Sequence, residues 1–234
     1  AAGTLAVGNG GWGIVADNSA NINIGGVSVA DRNIVSGNNA GGIVLSGTTS
    51  GLVQNNYIGT DRSGTVDLGN AESGIEVIGA SGIEISGNVI SGNNREGVWL
   101  RGAANSNSLL YNWIGTDANG TSALPNSLNG IKISDTATGT QIGSAVSGTG
   151  NVISGNINGA GILLTGSGVT SADHNIIGRD AIDSNNLANA FGILVDTTAN
   201  ASLSRYSANI IVGNTTDQVQ VNGVLTFNNY FDAD

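Results

Sequence analysis

Apolar residues alternate with other residues in short runs that each open on a glycine: Gly13-Ile-Val-Ala, Gly42-Ile-Val-Leu, Gly74-Ile-Glu-Val, Gly97-Val-Trp-Leu, Gly130-Ile-Lys-Ile, Gly161-Ile-Leu-Leu and Gly192-Ile-Leu-Val. An eighth copy, Val219-Gln-Val, lacks the glycine. Alternation with period two marks a strand with one buried face. It predicts an inward column of Ile14, Ile43, Ile75, Val98, Ile131, Ile162, Ile193 and Val219, with the glycine at a corner. Further short strands are predicted at Ile22-Asn-Ile24, Ile83-Glu-Ile85 and Gln141-Ile142.

A second phrase follows each run. It reads Asn33-Ile-Val-Ser-Gly-Asn38, Asn56-Tyr-Ile-Gly-Thr-Asp61, Asn88-Val-Ile-Ser-Gly-Asn93, Asn112-Trp-Ile-Gly-Thr-Asp117, Asn151-Val-Ile-Ser-Gly-Asn156, Asn175-Ile-Ile-Gly-Arg-Asp180, Asn209-Ile-Ile-Val-Gly-Asn214 and, weaker, Asn229-Tyr-Phe-Asp-Ala-Asp234. Its third residue predicts another inward stack, and its last residue alternates between Asn and Asp. The spacer after an Asn ending is short and that after an Asp ending is long, so the repeating unit is a pair of coils. A fixed phrase with variable spacers is the signature of a solenoid, in which each coil contacts only its neighbours. The reading is one domain over residues 1–234, with about eight coils in four two-coil repeats. At the usual strand spacing these would span roughly 38 Å.

Composition fits that picture and narrows the partners. Only 10% of residues are charged and 4% aromatic, against 38 glycines and a single proline, Pro125. Cysteine and methionine are absent, so no disulfide framework is expected, and the chain reads as processed or excised. A formal charge of -10 argues against nucleic acid and anionic membrane surfaces, both of which attract Lys and Arg. No stretch approaches the roughly 20 apolar residues of a membrane span. An extracellular or cell-surface location is the compositional expectation.

The order of strands, corners and phrases resembles the right-handed parallel β-helix proteins of the pectin-lyase-like class. The phrases Asn-Val-Ile-Ser-Gly-Asn and Tyr-Ile-Gly-Thr-Asp are similar to repeats found in large secreted bacterial surface proteins. The resemblance covers essentially the whole chain and implies an all-β fold, but such a fold hosts many activities.

Stacked in register, Asn38, Asp61, Asn93, Asp117, Asn156, Asp180, Asn214 and Asp234 are expected to form one corner column. Intercalated Asn would separate the Asp charges and offer amide donors to them. Calcium is the alternative occupant. Carboxylates on alternate coils, roughly 9.6 Å apart, cannot share one ion that wants six to eight oxygens, so a structural ladder is expected and no cofactor is assigned. The first residues of the phrases, Asn33, Asn56, Asn88, Asn112, Asn151, Asn175 and Asn209, make a second column. By the resemblance it is an inward asparagine ladder that satisfies corner carbonyls.

No catalytic residue is assigned. The resemblance would call for Gly-His-Gly and Arg-Ile-Lys in a polygalacturonase, a basic residue beside an acidic calcium cluster in a lyase, or Asp-Pro-His-Glu in an alginate epimerase, and none is present. Asp173-His174 with Arg179 and Asp180 is the nearest constellation, yet adjacent strand residues face opposite ways. Glu76, Glu84 and Glu96 could supply a carboxylate pair, but Glu76 and Glu84 fall on different faces of a coil.

Two outward columns remain. Ile34, Tyr57, Val89, Trp113, Val152, Ile176 and Ile210 form an apolar stripe, either a contact surface or a run of residues suited to any strand. Val15, Val44, Glu76, Trp99, Lys132, Leu163, Leu194 and Gln220 form a mixed one. Tyr57, Trp99, Trp113, Tyr230 and Phe231 are the candidate contact residues. The two ends of the sequence read as continuous with one another, since the opening matches the loop after an Asp ending and Asn229 to Asp234 echoes Asn56 to Asp61. With no capping helix in view, the expectation is a non-catalytic rod stacking head to tail on copies of itself. A carbohydrate-binding or carbohydrate-cleaving β-helix using Trp99, Trp113 and Tyr57 is the alternative.

Overall fold

The structure is a computed structural model that describes residues 5–166, 168–196 and 202–222. Three parallel sheets run its length, a first of eight strands, a second of seven and a third of seven. Neighbours within a sheet lie three strands apart in chain order, so each turn gives one strand to every sheet before the next begins. The molecule is therefore a parallel β-helix of about seven turns. Among the described residues the only helix is the short 3-10 turn Val29–Asp31.

The alternation read from the sequence sets the register. In the first sheet Ile14, Ile43, Ile75, Val98, Ile131, Ile162, Ile193 and Val219 pair side by side. Val35, Ile58, Ile90, Ile114, Ile153, Ile177 and Ile211 do so in the third. The second sheet adds Ile24, Val53, Ile85, Leu109, Ile142 and Ala172. These rows meet in one continuous core. Each fully buried Ile or Leu contributes about 1.5–3 kcal/mol of transfer free energy, but only because the coils above and below cover it.

The corner glycines are required by the closeness of that stacking. A Cβ on Gly42 would lie 2.5 Å from the carbonyl oxygen of Gly74, and one on Gly74 would lie 2.8 Å from that of Gly97.

Two asparagine ladders hold the corners of the third sheet. Asn33, Asn56, Asn88, Asn112, Asn151, Asn175 and Asn209 are linked in that order, each Nδ2 donating to the next Oδ1 at 2.8–3.1 Å. Each Oδ1 also accepts the backbone N–H of the preceding Asn. From Asn56 on, Nδ2 reaches a carbonyl oxygen of the coil before, such as Ile24, Val53 or Ile85. Side-chain amides in a dry corner thus use most of their donor and acceptor capacity.

The second ladder corrects the expected Asn/Asp column. It runs Asn38, Asn70, Asn93, Asn126, Asn156, Asn189 and Asn214, with Nδ2 to Oδ1 distances of 2.7–3.1 Å, and ends on Gln218. Asp61, Asp117 and Asp180 are not in it. Each instead starts a loop that leaves the coil and returns to the ladder at Asn70, Asn126 or Asn189. The physical reason is donor count, since a carboxylate has no N–H to pass to the next coil. Asp234 lies outside the described residues.

Each Asp organises its own loop. The Asp61 carboxylate accepts from the Ser63 hydroxyl at 2.7 Å and from the N–H groups of Thr65 and Val66 at 3.1 Å. Asp117 accepts from the N–H groups of Thr121 and Ser122, and Asp180 from Ser184 and Asn185. Burial by itself would raise the Asp61 carboxyl, but these hydrogen bonds outweigh it and hold the group below the usual carboxylate range. The same opposition, won more decisively by the donors of Ser184 and Asn185, brings Asp180 to about 2.

The loops also cover the apolar stripe. They join along the axis, Ala118 N–H donating to Gly64 and Ala181 N–H to Gly120, both at 2.8 Å. Gly64 sits against the Tyr57 ring and Gly120 against the Trp113 indole. Tyr57 is left 9% exposed and Val89 1%, with the Arg32 guanidinium 3.9 Å from the Tyr57 ring centre. Trp113, Val152 and Ile176 are half-buried, and the ends of the stripe, Ile34 and Ile210, are exposed.

Candidate functional site

The mixed outward column of the first sheet carries the chemistry. Strands Ile75–Ile78, Val98–Arg101 and Ile131–Ile133 set Glu76, Trp99 and Lys132 side by side on the outer face. The turns entering these strands bring Glu72, Ser73, Arg95 and Glu96 to the same place. Three cations surround the Trp99 ring: Lys132 Nζ at 4.7 Å, Arg101 at 4.9 Å and Arg95 at 5.4 Å from its centre. The indole Nε1 donates to the Ser134 hydroxyl at 3.0 Å, which fixes the ring's orientation.

Three carboxylates interleave with these cations, and the pairs differ in kind. Glu76, 6% exposed, is locked to Arg101 through Nε and Oε1. Glu96, 1% exposed, is held loosely by Lys132 at 3.6 Å and Arg95 at 3.7 Å, and accepts from the Ser73 hydroxyl at 3.4 Å. Arg95 also reaches Glu72 at 3.4 Å. Contacts that long leave Arg95 and Lys132 with N–H capacity for a further anion. The arrangement offers a flat apolar ring, two available cations and two nearly buried carboxylates on one open face. Such a face suits a sugar ring that carries a carboxylate.

The remaining candidates are not gathered here. Trp113 and Tyr57 belong to the third sheet and lie under its loops, so the expected groove combining them with Trp99 does not form. Glu84 is on the second sheet, paired in register with Ser108, away from Glu76. His174 has left the strand with φ +56°, and its Nδ1 is 2.8 Å from the Ser144 carbonyl oxygen. The buried Asp173 accepts instead from Ser207 at 2.6 Å. Tyr230 and Phe231 lie outside the described residues. For calcium, the oxygens of Asp61, Asp117 and Asp180 are already turned toward loop donors, the reverse of what a cation needs. No group of three His, Cys, Asp or Glu side chains with metal-binding spacing occurs among the described residues.

No protein-family model and no curated protein matches the sequence. Two solved structures match the fold. A periplasmic alginate epimerase, crystallised as a point mutant, aligns with a TM-score of 0.60 at 16% identity over 91% of this chain and 48% of its own. The A-module of an Azotobacter vinelandii mannuronan C-5 epimerase aligns with a TM-score of 0.57 at 17% identity over 97% of this chain and 57% of its own. The chain is a parallel β-helix repeat protein. It spans about half the length of the matched chains, and at such identity the likeness is one of fold. It nonetheless corrects the expectation of a non-catalytic, self-stacking rod, because both matched proteins bear the names of polysaccharide-modifying enzymes.

Arg95, Arg101 and Ser134 went unassigned in the sequence reading, which set Glu76, Trp99 and Lys132 in one outward column and weighed Glu76 with Glu96 as a carboxylate pair, but did not join the two. The available signal was the spacing of cations. In a chain with only seven Lys and Arg, three fall between positions 95 and 132 and converge once consecutive coils are laid in register.

Proposed function

We propose that this protein binds an acidic polysaccharide on the outer face of its first sheet, outside the cytoplasm. One observation carries the reading: Trp99 is framed by Arg95, Arg101 and Lys132 in a chain that is otherwise poor in cations. A pyranose stacks its C–H face on the indole while its carboxylate meets Arg95 and Lys132. The names of the two matched structures lend support. The Asp-Pro-His-Glu segment expected of the epimerase branch is missing, so binding is the primary reading.

A second reading, modification of the bound sugar, is favoured by Glu76 and Glu96. They are nearly buried carboxylates beside the stacking ring, placed to move a proton at a carbon next to a uronate carboxylate.

The test is titration of Trp fluorescence with oligomannuronates and with a neutral glucan oligomer. Saturable binding of the acidic series alone, lost in Trp99→Ala, supports the proposal, whereas equal affinity for both series or an unaffected Trp99→Ala refutes it. Proton NMR of the incubated oligomers reports epimerised or cleaved products if the second reading holds.

A further inference from the structure

Trp12 belongs to the same face, although nothing in its local sequence says so. It precedes the first strand of the first sheet, and the row it heads is fixed by backbone bonds from Gly13 N–H to Gly41, from Gly42 N–H to Ser73 and from Gly74 N–H to Glu96, at 3.0–3.1 Å. Trp12, Gly41, Ser73 and Glu96 therefore climb one flank of the charged platform in successive coils. Gly41 is the seat of the Trp12 ring. A Cβ at position 41 would overlap the indole at Cζ3 and would lie 2.6 Å from the Ser73 carbonyl oxygen. The half-buried Trp12 thus leans across the second coil toward Ser73, whose hydroxyl bonds Glu96.

From the coil of Gly41 to that of Trp99 is two coil spacings, roughly 10 Å along the axis, and Trp99 stands three residues, again roughly 10 Å, further along its strand than the row of Trp12 and Glu96. The two indoles stand at opposite corners of a patch that holds Ser73, Glu76 and Glu96. Between them runs a polar strip, not an enclosed pocket.

We infer that Trp12 is a second stacking platform, so that the site takes a linear chain that crosses the coils obliquely from Trp99 toward Trp12 and reads its length. This inference rests on the proposed saccharide site and extends it to a polymer of several units. Ligand seated on Trp99 alone gains from one ring. A chain that also reaches Trp12 gains from both, as an intramolecular second contact.

The experiment measures Kd for oligomannuronates graded from dimer to octamer against wild type, Trp12→Ala, Trp12→Leu and Trp99→Ala, each variant checked for an unchanged far-UV spectrum. Trp12→Leu keeps Gly41 covered without a flat ring, which guards against misfolding of the alanine variant. The expected result is an affinity step with chain length in wild type. Both Trp12 variants flatten it, with about a tenfold loss for the octamer and none for the dimer. If Trp99→Ala abolishes binding while the Trp12 variants keep the full step, Trp12 is no platform and the saccharide site itself stands. If wild type binds no member of the series, the saccharide reading fails and the inference with it.

Discussion

Replacing Asn88 by Asp changes one nitrogen to oxygen within the inner ladder and should convert a pH-indifferent corner into a pH-sensitive one. Asn88 is fully buried. Its Nδ2 donates to Val53 at 2.8 Å, to Asn112 Oδ1 at 3.0 Å and to the Ser86 carbonyl at 3.1 Å, while its Oδ1 accepts from the N–H and Nδ2 of Asn56. An aspartate keeps the accepting oxygen and turns the donor into a second acceptor facing three oxygens. Protonated, it restores one of the three bonds, so the loss is about 1–3 kcal/mol for the other two. Ionised, it places a charge against three acceptors in a dry corner, so the folded-state pKa rises far above the unfolded value of about 3.9. The added penalty is absent below that unfolded value and grows by about 1.4 kcal/mol per pH unit until the folded pKa is reached. With the folded pKa above 7, the extra cost at pH 7 is about 4 kcal/mol, a large share of the 5–15 kcal/mol of an ordinary domain. Urea unfolding at pH 4, 5, 6 and 7, followed by circular dichroism, measures this directly. Asn88→Ala is the control, because it loses the same bonds without a titrating group. A deficit for Asn88→Asp that stays level or shrinks as the pH rises would refute the argument. Asp61 and Asp180 do not confuse the comparison, since their lowered pKa values put their own transitions below this window.

Three further outcomes are expected. The Asp180 carboxyl carbon should titrate in NMR with a midpoint of about 2, and the support it gives its loop, complete above the unfolded value near 3.8, should vanish as the pH falls through 2; a midpoint near 4 would mean that the Ser184 and Asn185 donors do not hold it. Gly74→Ala should destabilise by about 1–3 kcal/mol or more in urea melts, because its Cβ would stand 2.6 Å from Ile90 Cγ2 and 2.8 Å from the Gly97 carbonyl oxygen. Ser134→Ala should leave stability near wild type and weaken oligomannuronate binding a few-fold by freeing the Trp99 ring, whereas unchanged binding would show that the bond from Trp99 Nε1 does not position it.

Period-two patterning was enough to place the inward rows from Ile14 to Val219 and from Val35 to Ile211, because an apolar column repeated every coil has one stable arrangement. The inner asparagine row was legible for the same reason. Misreading of the outer row came from treating the last letter of each phrase as one structural position. Asn38 and Asp61 look equivalent in sequence, yet only an amide both accepts from one coil and donates to the next. The long spacers after each Asp held the corrective signal, since each returns to a further Asn at 70, 126 or 189. The covering of Tyr57 and Trp113 was invisible for a related reason, because alternation tells which face a residue takes and not what lies over that face. The site is a different case. The alternation put Glu76, Trp99 and Lys132 in one outward column, but the approach of Arg95, Arg101 and Glu96 to it follows from packing at the strand ends, which period-two patterning does not show.

The position of this cluster follows from how a solenoid divides its residues. Inward positions and the two ladders are constrained by neighbours on both sides, so a change there propagates through hydrogen bonds from coil to coil. The third sheet's outer face is taken up by its own stacked loops. The first sheet's outer face is free of both demands. It alone brings Trp, Arg, Lys and Glu from consecutive coils within reach of one another while the backbone beneath is held rigid by the ladders. A nearly buried carboxylate such as Glu96 is costly to retain unless its partners remain, and Lys132, Arg95 and Ser73 supply them from three separate turns. A binding face built in this way needs no loop closure and tolerates no slip of register. It therefore resides in the middle turns, where adjoining coils on both sides fix the register most firmly.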